Sequence, residues 1–231
     1  MANNVKPDLT AIIPLRNREG GKTRLGEQFA PSQRTALVRA MAETVLDAVI
    51  GSECVSQILL ITRDPVFAQE VIGSRTGVRI VHQPASAPGL VGALDFGRES
   101  ATSTSILVLF ADLPLIAPAD VRMIAASPAR VVIVPDRHAE GTNGVLIRHD
   151  ADAEFRFRFG AESYRKHIAE AERLWWDYGV IERPGTATDL DTITDWLELP
   201  GRLRDELIEP SETELEPTKR LMAPVIGSPE R

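Results

Sequence analysis

Four basic side chains stand within nine positions near the start of the chain, although the whole protein has a formal net charge of −7. They follow an apolar stretch that ends at Pro14, and they are Arg16, Arg18, Lys22 and Arg24. Gly20 and Gly21 lie among them and allow the backbone to approach a ligand closely, as phosphate-binding loops require. Nucleotides commonly bind at loops that leave the first strand of an α/β sheet. The segment therefore predicts a phosphate-binding loop, with a solvated surface loop as the alternative.

A carboxylate follows the most apolar run of the chain. Asp112 stands just after residues 106–110, and a carboxylate at the C-terminal end of a buried strand is suited to bind Mg²⁺. Because Mg²⁺ usually takes one or two carboxylates together with phosphate oxygens, a second carboxylate is expected. Asp189 and Asp191 can supply it, since alternate residues of an extended segment point to one side. The alternative without a metal is that these side chains cap a turn and the helix predicted at residues 193–197.

Two later segments combine glycines with small polar side chains. The first, residues 135–144, contains Thr142, and the second, residues 157–164, contains Gly160 and Ser163. Hydroxyl groups bind phosphate or carboxylate, and the N–H groups at the start of a helix lack partners within that helix. Because a helix is predicted to begin in the second segment, the two segments together predict an anion-binding pocket. A turn and a helix start without any ligand are the alternative.

Apolar patterns typical of buried strands and of amphipathic helices alternate along the chain. The predicted strands are 9–13, 58–61, 78–81, 106–110, 131–134 and 145–147. The predicted helices are 32–50, 65–72, 90–99, 118–126, 162–174 and 193–197. This alternation predicts an α/β fold with a mostly parallel sheet and helices on both faces.

The chain divides into three predicted parts. Residues 1–8 form an N-terminal extension, and residues 9–199 form a single domain of sufficient size to bury one core. In residues 200–231 prolines alternate with glutamates, and this composition predicts an acidic and partly disordered tail.

Composition excludes several classes of protein. A pI near 5.2 disfavours a nucleic-acid-binding surface, and a single cysteine rules out a disulfide framework. The sequence lacks the pattern of a signal peptide and any apolar run of the ~18 residues that a membrane span needs, so a cytoplasmic protein is expected. Trp175, Trp176 and Tyr178 could form an interface with a partner or with a second copy, or could belong to the core.

Several of these motifs together resemble the 2-phospho-L-lactate guanylyltransferase family, which takes part in the biosynthesis of coenzyme F-420. The motifs are IIPLR, GGKTRL, ADLPL, VPDR, GTNGVLI, FRFGAESYRKH and DLDTITDW. The resemblance extends from about Leu9 to Leu197, and its most specific parts are GTN and FGAES. It implies the fold of nucleotidyltransferases, of the GT-A or Rossmann-like kind.

The resemblance implies roles for individual residues of this chain. The implied catalytic residues are Lys22, Arg24 and Asp112. The implied GTP-binding residues are Pro14, Leu15, Arg16, Lys22, Arg24, Gly89 and Asp112. The implied ligands of Mg²⁺ are Asp112 with Asp189 or Asp191. The implied pocket for a phosphorylated acid consists of Thr142, Gly160 and Ser163.

The implied reaction joins GMP from GTP to a small phosphorylated acid and releases pyrophosphate. The acid is phosphoenolpyruvate, 2-phospho-L-lactate or 3-phosphoglycerate, and a downstream transferase would accept the product. Because the attacking phosphate oxygen is already anionic at neutral pH, no histidine is needed as a base. His167, on the helix after Ser163, could face the carboxylate of the acid, but it is expected to face solvent or to cap that helix.

Two positions depart from the pattern of this family. Arg16 stands where the family usually has lysine, which keeps the charge but changes its geometry. Val91 stands where many members have asparagine, so an amide near the expected nucleoside site is missing. Two alternatives therefore stay open, namely a nucleotidyltransferase that acts on a sugar phosphate or pterin phosphate, and an inactive nucleotide-binding protein.

Overall fold

A seven-stranded sheet organises the chain, in the strand order β3-β2-β1-β4-β6-β5-β7. The computed structural model describes residues 8–18, 22, 25–26, 28–148 and 155–208. The strands are β1 Leu9–Pro14, β2 Gln57–Thr62, β3 Val78–His82, β4 Ser105–Leu109, β5 Val131–Pro135, β6 Thr142–Arg148 and β7 Tyr178–Val180. The helices are α1 Pro31–Ser52, α2 Pro65–Ile72, α3 Gly89–Glu99, α4 Pro118–Ala126, α5 Ser163–Arg173, α6 Pro184–Ala187, α7 Ile193–Glu198 and α8 Gly201–Ile208.

The predicted α/β fold with a mostly parallel sheet and helices on both faces is confirmed. Strand β6 is the exception, because it runs antiparallel to both β4 and β5. It follows β5 through the short turn at residues 136–141, and so short a connection joins antiparallel strands. As a result the first residues of β6 lie beside the last residues of β4, with Gly144 opposite Leu109.

Both faces of the sheet are covered by helices, which explains the continuous apolar runs in the strands. Along β1, Ala11 and Ile13 pack towards α1, α2 and α4, whereas Ile12 packs towards the opposite face. That opposite face is covered by α3 and α5 and by the buried rings of Phe155 and Phe157. Alternate side chains of each strand therefore enter two different hydrophobic clusters, and both are apolar.

A third hydrophobic cluster extends the folded part beyond the predicted boundary at residue 199. In α8, Leu207 is buried and Leu203 is partly buried against a cluster that includes Trp196 and Met41. Two leucines four residues apart face the same side of a helix, which holds α8 against α1. Residues 201–208, which the sequence predicted as part of the tail, thus form a packed helix. The predicted acidic tail beyond residue 208, and nearly all of the predicted N-terminal extension, lie outside the described residues.

Strand β7 and helix α6 were not predicted from the sequence. Strand β7 lies at the edge of the sheet and contains one of the three aromatic residues of the segment 175–178. Tyr178 lies on this edge strand, and Trp175 just before it is 95% exposed. Trp176 instead packs against the core and lies under the guanidinium group of Arg130. The three aromatic residues therefore do not form one continuous surface.

Among the described residues, no helix is both long enough and apolar enough to cross a membrane.

Candidate active site

A cavity of about 510 Å³ opens at the C-terminal ends of β1 and β4. The chain proceeds from β1 to β2 and β3 on one side and then returns to place β4 on the other side of β1. Ligands bind at such a switch point because the loops leaving the two strands diverge there. The cavity also receives the start of β6, because this strand is antiparallel to β4.

Nearly all of the predicted site residues that the structure describes line this one cavity. They are Pro14, Leu15, Arg16, Lys22, Asp112, Thr142, Gly160, Ser163, Asp189 and Asp191. Gly89 is not a lining residue, although Leu90 directly after it is. The prediction for Arg24 concerns a residue outside the described part of the chain, as do Gly20 and Gly21.

One half of the cavity, which we call the carboxylate half, consists of Lys22, Asp112, Asp189 and Asp191. The ammonium group of Lys22 donates to Asp112 Oδ2 and to Asp191 Oδ1, at 2.7 Å each. Burial opposes the charge on Lys22, whose side chain is 8% exposed, but the two carboxylates more than offset it and raise the pKa of Lys22. The Leu190 N–H donates to the backbone carbonyl of Asp112 at 3.2 Å, which fixes the late segment against the end of β4.

Asp189 is the carboxylate most affected by its surroundings. Burial raises its pKa, and the charges of Asp112 and Asp191 raise it further. The side-chain amide of Asn143 donates to Asp189 Oδ1 at 3.4 Å and to the carbonyl of Thr186 at 3.0 Å, and the hydrogen bond to Asp189 opposes the rise. Three carboxylates so close together favour a bound cation, because their mutual repulsion is relieved by positive charge.

The carboxylate half does not form a closed metal site. It fits a magnesium ion that takes phosphate oxygens of a substrate as its remaining ligands. Within the part of the chain that the structure describes, no group of three or more His, Cys, Asp or Glu side chains is arranged to hold a metal ion by itself. Asp112 Oδ1 is nevertheless buried without a hydrogen-bond partner among the described residues. Since Mg²⁺ usually takes one or two carboxylates and completes its shell with phosphate oxygens and water, this orphaned oxygen suits it.

Capping of α7 does not account for Asp189 or Asp191. The N-cap of this helix is Thr192, whose side chain accepts from the Asp195 N–H in a reciprocal capping arrangement. The alternative in which one of the two earlier aspartates caps this helix is therefore wrong. Both carboxylates remain directed to the cavity that they line.

The other half of the cavity, which we call the hydroxyl half, consists of Thr142, Gly160 and Ser163. Gly160 has a φ of +121°, a backbone conformation that residues with a side chain rarely adopt, and it makes the turn before α5. Ser163 is buried, and its hydroxyl makes no hydrogen bond with any described residue. This hydroxyl is therefore available to a ligand in the cavity.

The start of α5 offers fewer open N–H groups than the sequence predicts. The Ser163 N–H donates to the carbonyl of Gly160 at 3.1 Å, and the Tyr164 N–H donates to the carbonyl of Glu140 at 3.2 Å. An anion in the hydroxyl half thus depends more on side-chain hydroxyls than on these two N–H groups.

Thr142 is placed by the turn that precedes β6. The carboxylate of Asp136 accepts from the N–H groups of His138, Glu140 and Gly141, at 3.0, 3.0 and 2.7 Å. A side chain at Gly141 would place its Cβ 2.6 Å from Asp136 Oδ2, so only glycine fits this position without displacement. The turn therefore fixes the position of Thr142 and Asn143 in the wall of the cavity.

His167 contradicts its predicted position, because it is completely buried. Its Nδ1 lies 3.1 Å from Thr142 Oγ1, and its Nε2 accepts from the Arg158 N–H at 3.0 Å. Burial lowers the pKa of His167 to about 4, so the ring is neutral at physiological pH. The sequence held a signal for this position, since His167 follows Ser163, a predicted pocket residue, by four positions and therefore lies on the same face of α5.

A family model described as "Guanylyl transferase CofC like" matches residues 9–201 of the chain. The chain belongs to this family. It is 32% identical over 196 residues to a phosphoenolpyruvate guanylyltransferase of Sphaerobacter thermophilus, across 83% of this chain and 92% of the relative. It is 30% identical over 188 residues to a 2-phospho-L-lactate guanylyltransferase of Methanothrix thermoacetophila, across 81% of each chain. The family predicted from the motifs is thereby confirmed.

The fold of this CofC-like guanylyl transferase also matches solved structures. A nucleotidyl transferase from Methanothermobacter has a TM-score of 0.61 with 18% sequence identity, covering 86% of this chain and 97% of that one. At such low identity the match concerns the fold, and it confirms the nucleotidyltransferase architecture. Together with the family membership, it identifies the chain as a nucleotidyltransferase enzyme.

Sequence reasoning missed part of the wall of this site. Val38 and Met41 of α1, together with Leu90, Phe110 and Phe159, give the cavity an apolar side. These residues were predicted as core or left unassigned, because an apolar side chain that lines a cavity follows the same periodicity as one in the core. Asn143 was also missed as a site residue, although the GTN motif pointed to it.

Proposed function

We propose that this guanylyl transferase transfers GMP from GTP to the phosphate group of a small phosphorylated acid and releases pyrophosphate. The observation that carries the proposal is that a single cavity contains both the carboxylate half and the hydroxyl half. A charged half suits a metal-bound triphosphate, and a half with neutral donors suits a second, smaller anion. The relatives named above act on phosphoenolpyruvate and on 2-phospho-L-lactate, by their names.

The reaction needs alignment and charge rather than a strong base. An anionic phosphate oxygen of the acid attacks the α-phosphorus of GTP, a new P–O bond forms, and the bond from the α-phosphorus to the bridging oxygen breaks. The electron pair of that bond leaves on pyrophosphate. The residues must therefore hold the attacking and leaving oxygens in line and stabilise the developing negative charge. The attacking phosphate oxygen is already anionic, so His167, whose two ring nitrogens contact Thr142 and Arg158, is not needed as a base.

Positive charge for the triphosphate comes from two basic side chains of the described chain. Arg16 lines the cavity, is exposed, and makes no hydrogen bond or ion pair with any described residue. Lys22 is held by Asp112 and Asp191, at the place where the phosphates of GTP would approach the carboxylates. Asp112 with Asp189 or Asp191 would hold a Mg²⁺ ion, which would supply further positive charge to the triphosphate. Arg24, which lies outside the described residues, is proposed to assist, as the resemblance implies.

The nucleoside part of GTP is proposed to lie against the apolar wall formed by Pro14, Leu15, Met41 and Leu90. Val91, at the position where the resemblance implies asparagine in many members, does not line the cavity, although it packs on the same hydrophobic cluster as Leu90, which does. Selectivity for guanine would therefore come from the wall and backbone groups near Leu15 and Leu90 rather than from a side chain at position 91.

Identification of the product by mass spectrometry tests the proposal. GTP, ATP, CTP and UTP are each offered with Mg²⁺ against phosphoenolpyruvate, 2-phospho-L-lactate, 3-phosphoglycerate and glucose 1-phosphate, and pyrophosphate release is followed in parallel. The Asp112→Asn protein, purified in the same way, controls for contaminating enzymes. The expected result is a GMP adduct of one or more of the three acids that requires GTP.

Two results of this assay would contradict the proposal. A product formed only with the sugar phosphate would make the chain a sugar-phosphate nucleotidyltransferase, and the absence of any product together with a failure to bind GTP would indicate an inactive protein. The expected downstream transferase, the homodimer and the cytoplasmic location remain predictions.

A further inference from the structure

The imidazole ring of His167 is held between aromatic side chains behind the hydroxyl half. It stacks on Phe155, with ring centroids 6.0 Å apart and planes inclined by 12°. Phe159, which lines the cavity, packs against it edge-on at 4.7 Å and 71°. Because the residue is completely buried, packing sets the orientation of the ring and prevents it from turning freely.

The hydrogen bonds of the ring decide which nitrogen carries the hydrogen. The backbone N–H of Arg158 can only donate, so His167 Nε2, 3.0 Å away, must accept. A neutral imidazole has one N–H group, which then resides on Nδ1. Nδ1 lies 3.1 Å from Thr142 Oγ1, and the ring therefore donates to the hydroxyl of Thr142, while the nearby Ser163 carbonyl also favours a hydrogen on the ring.

This arrangement fixes the role of the Thr142 hydroxyl. Because it accepts the hydrogen bond from His167, its own hydrogen must point elsewhere, and no described residue accepts it. Thr142 lines the cavity at the beginning of β6, and its β-branched side chain is restricted in rotation. The free hydrogen is therefore available to a hydrogen-bond acceptor that occupies the cavity.

We propose that His167 is a positioning residue that directs the O–H group of Thr142 into the hydroxyl half, where it donates to an anionic oxygen of the phosphorylated acid. This inference rests on the proposed function, because it assumes that the acid binds in that half. His167 does not touch the substrate and exchanges no proton during the reaction. It acts by keeping Thr142 from donating to the protein instead.

Loss of the hydrogen bond from His167 that orients the Thr142 hydroxyl should weaken binding of the acid. Without a donor at position 167, the hydroxyl is free to turn its hydrogen towards the protein and to present only lone pairs to an anion. Hydrogen bonds to charged groups are stronger than those between neutral groups. We therefore expect the KM for the acid to rise about tenfold, while the KM for GTP stays within about twofold.

Two substitutions separate the two hydrogen bonds of the ring. In His167→Asn the amide lies near the position of Nδ1, so it can still donate to Thr142, whereas the acceptor for the Arg158 N–H is lost. In His167→Gln the amide lies near the position of Nε2, so it can still accept from Arg158, whereas the donor to Thr142 is lost. Melting temperatures are recorded for both, and His82→Gln, an exposed histidine outside the cavity, is the matched control.

The kinetic outcomes distinguish positioning from a structural role. The expected result is an acid KM within about threefold of wild type for His167→Asn and about tenfold higher for His167→Gln. Thr142→Val should raise the acid KM by a similar factor, and adding His167→Gln to it should cause no further rise. The proposal is overturned if His167→Gln keeps the wild-type KM, or if the effects of the two substitutions multiply in the double variant.

Nuclear magnetic resonance of ¹⁵N-labelled histidine provides a readout that is independent of activity. The expected spectrum shows the hydrogen of His167 on Nδ1 in the unliganded protein at pH 7. A hydrogen on Nε2 would overturn the proposal even if the enzyme is active. If none of the three acids is converted and the hydrogen is on Nδ1, then the proposed function has failed, and with it the assignment of the acid as the partner of Thr142.

Discussion

The two halves of the cavity stabilise their side chains in different ways. In the carboxylate half the side chains of Asp112 and Asp191 are 28% and 48% exposed, and ionic contacts to Lys22 hold them. In the hydroxyl half Thr142 and Ser163 are each 2% exposed, and packing together with one neutral hydrogen bond between His167 and Thr142 holds them in place. One cavity thus combines a charged half whose carboxylates are partly exposed with a neutral, buried half.

This difference indicates how each half can respond to a ligand. Lys22 contacts two carboxylates that are partly exposed, so a phosphate oxygen can replace one of them while the other keeps the ammonium group paired. A buried neutral hydrogen bond such as that between His167 and Thr142 cannot be exchanged without leaving a polar group unpaired. We therefore expect the carboxylate half to rearrange when a substrate binds and the hydroxyl half to be formed in advance.

The largest effect is expected for Asp112→Asn, which removes one charge from the carboxylate half and keeps the shape of the side chain. Turnover should fall by roughly 100-fold or more, because electrostatic stabilisation of the transferring phosphate is lost. The measurement is kcat at saturating and at limiting Mg²⁺. Asp47→Asn, at an exposed carboxylate paired with Arg75, is the matched control. Near-normal turnover at limiting Mg²⁺ would remove Asp112 from the site.

The second effect concerns the stability of the region behind the hydroxyl half. The pKa of His167 is lowered from 6.5 to about 4, mainly by burial and also by the charge of Arg158, while Glu170 and the Ser163 carbonyl act in the opposite direction. As the pH falls, His167 therefore binds a proton near pH 6.5 in the unfolded chain but only near pH 4 in the folded chain. The free energy of unfolding is not reduced by this difference above pH 6.5, and it decreases by up to about 3 kcal/mol as the pH falls to 4.

Denaturant unfolding between pH 7.5 and pH 4 measures this loss as the difference between wild type and His167→Phe, since other groups titrate in both proteins. The wild type should lose more free energy of unfolding than the variant as the pH falls. An NMR titration that shows His167 gaining its proton near pH 6.5 would contradict the prediction, even if the variant does not fold.

A third effect is expected for Lys22→Met, which removes the ammonium group from between Asp112 and Asp191. The catalytic efficiency with GTP should fall by about 10- to 100-fold, because the leaving pyrophosphate loses a cation. Without nucleotide, however, Mn²⁺ should bind more tightly than to the wild type, because the carboxylates have lost the competing positive charge. Titration followed by electron paramagnetic resonance measures this affinity. Weaker Mn²⁺ binding in the variant would show that Lys22 does not compete with a metal.

The smallest effect is expected for Ser163→Ala in the hydroxyl half. The KM for the acid should rise by an amount corresponding to about 1–2 kcal/mol, the value of one hydrogen bond to a charged group, and the KM for GTP should hardly change. Steady-state kinetics with each substrate varied in turn provides the measurement. If Ser163→Ala and Lys22→Met both change the KM of the same substrate to a similar extent, the separation of the cavity into two halves is wrong.

Much of the fold and of the candidate site follows from the sequence. The apolar runs in residues 58–61 and 106–110 predict buried strands, because only a strand covered on both faces is apolar throughout. The candidate residues Asp112 and Ser163 are recognisable because they follow a strand end and open a helix. Chemistry at such places depends on local geometry, which a short segment of sequence largely determines.

The tertiary structure alone decided how these segments meet. Apolar periodicity shows which side of an element is buried, but it contains no information on the order or direction of strands in a sheet. Only the antiparallel insertion of β6 next to β4 brings Thr142 to the same cavity as Asp112. In the same way, only packing of α5 against Phe155 buries His167, whose polar side chain predicted an exposed position. Contacts between distant segments depend on the summed packing of the whole core, and no single motif encodes them.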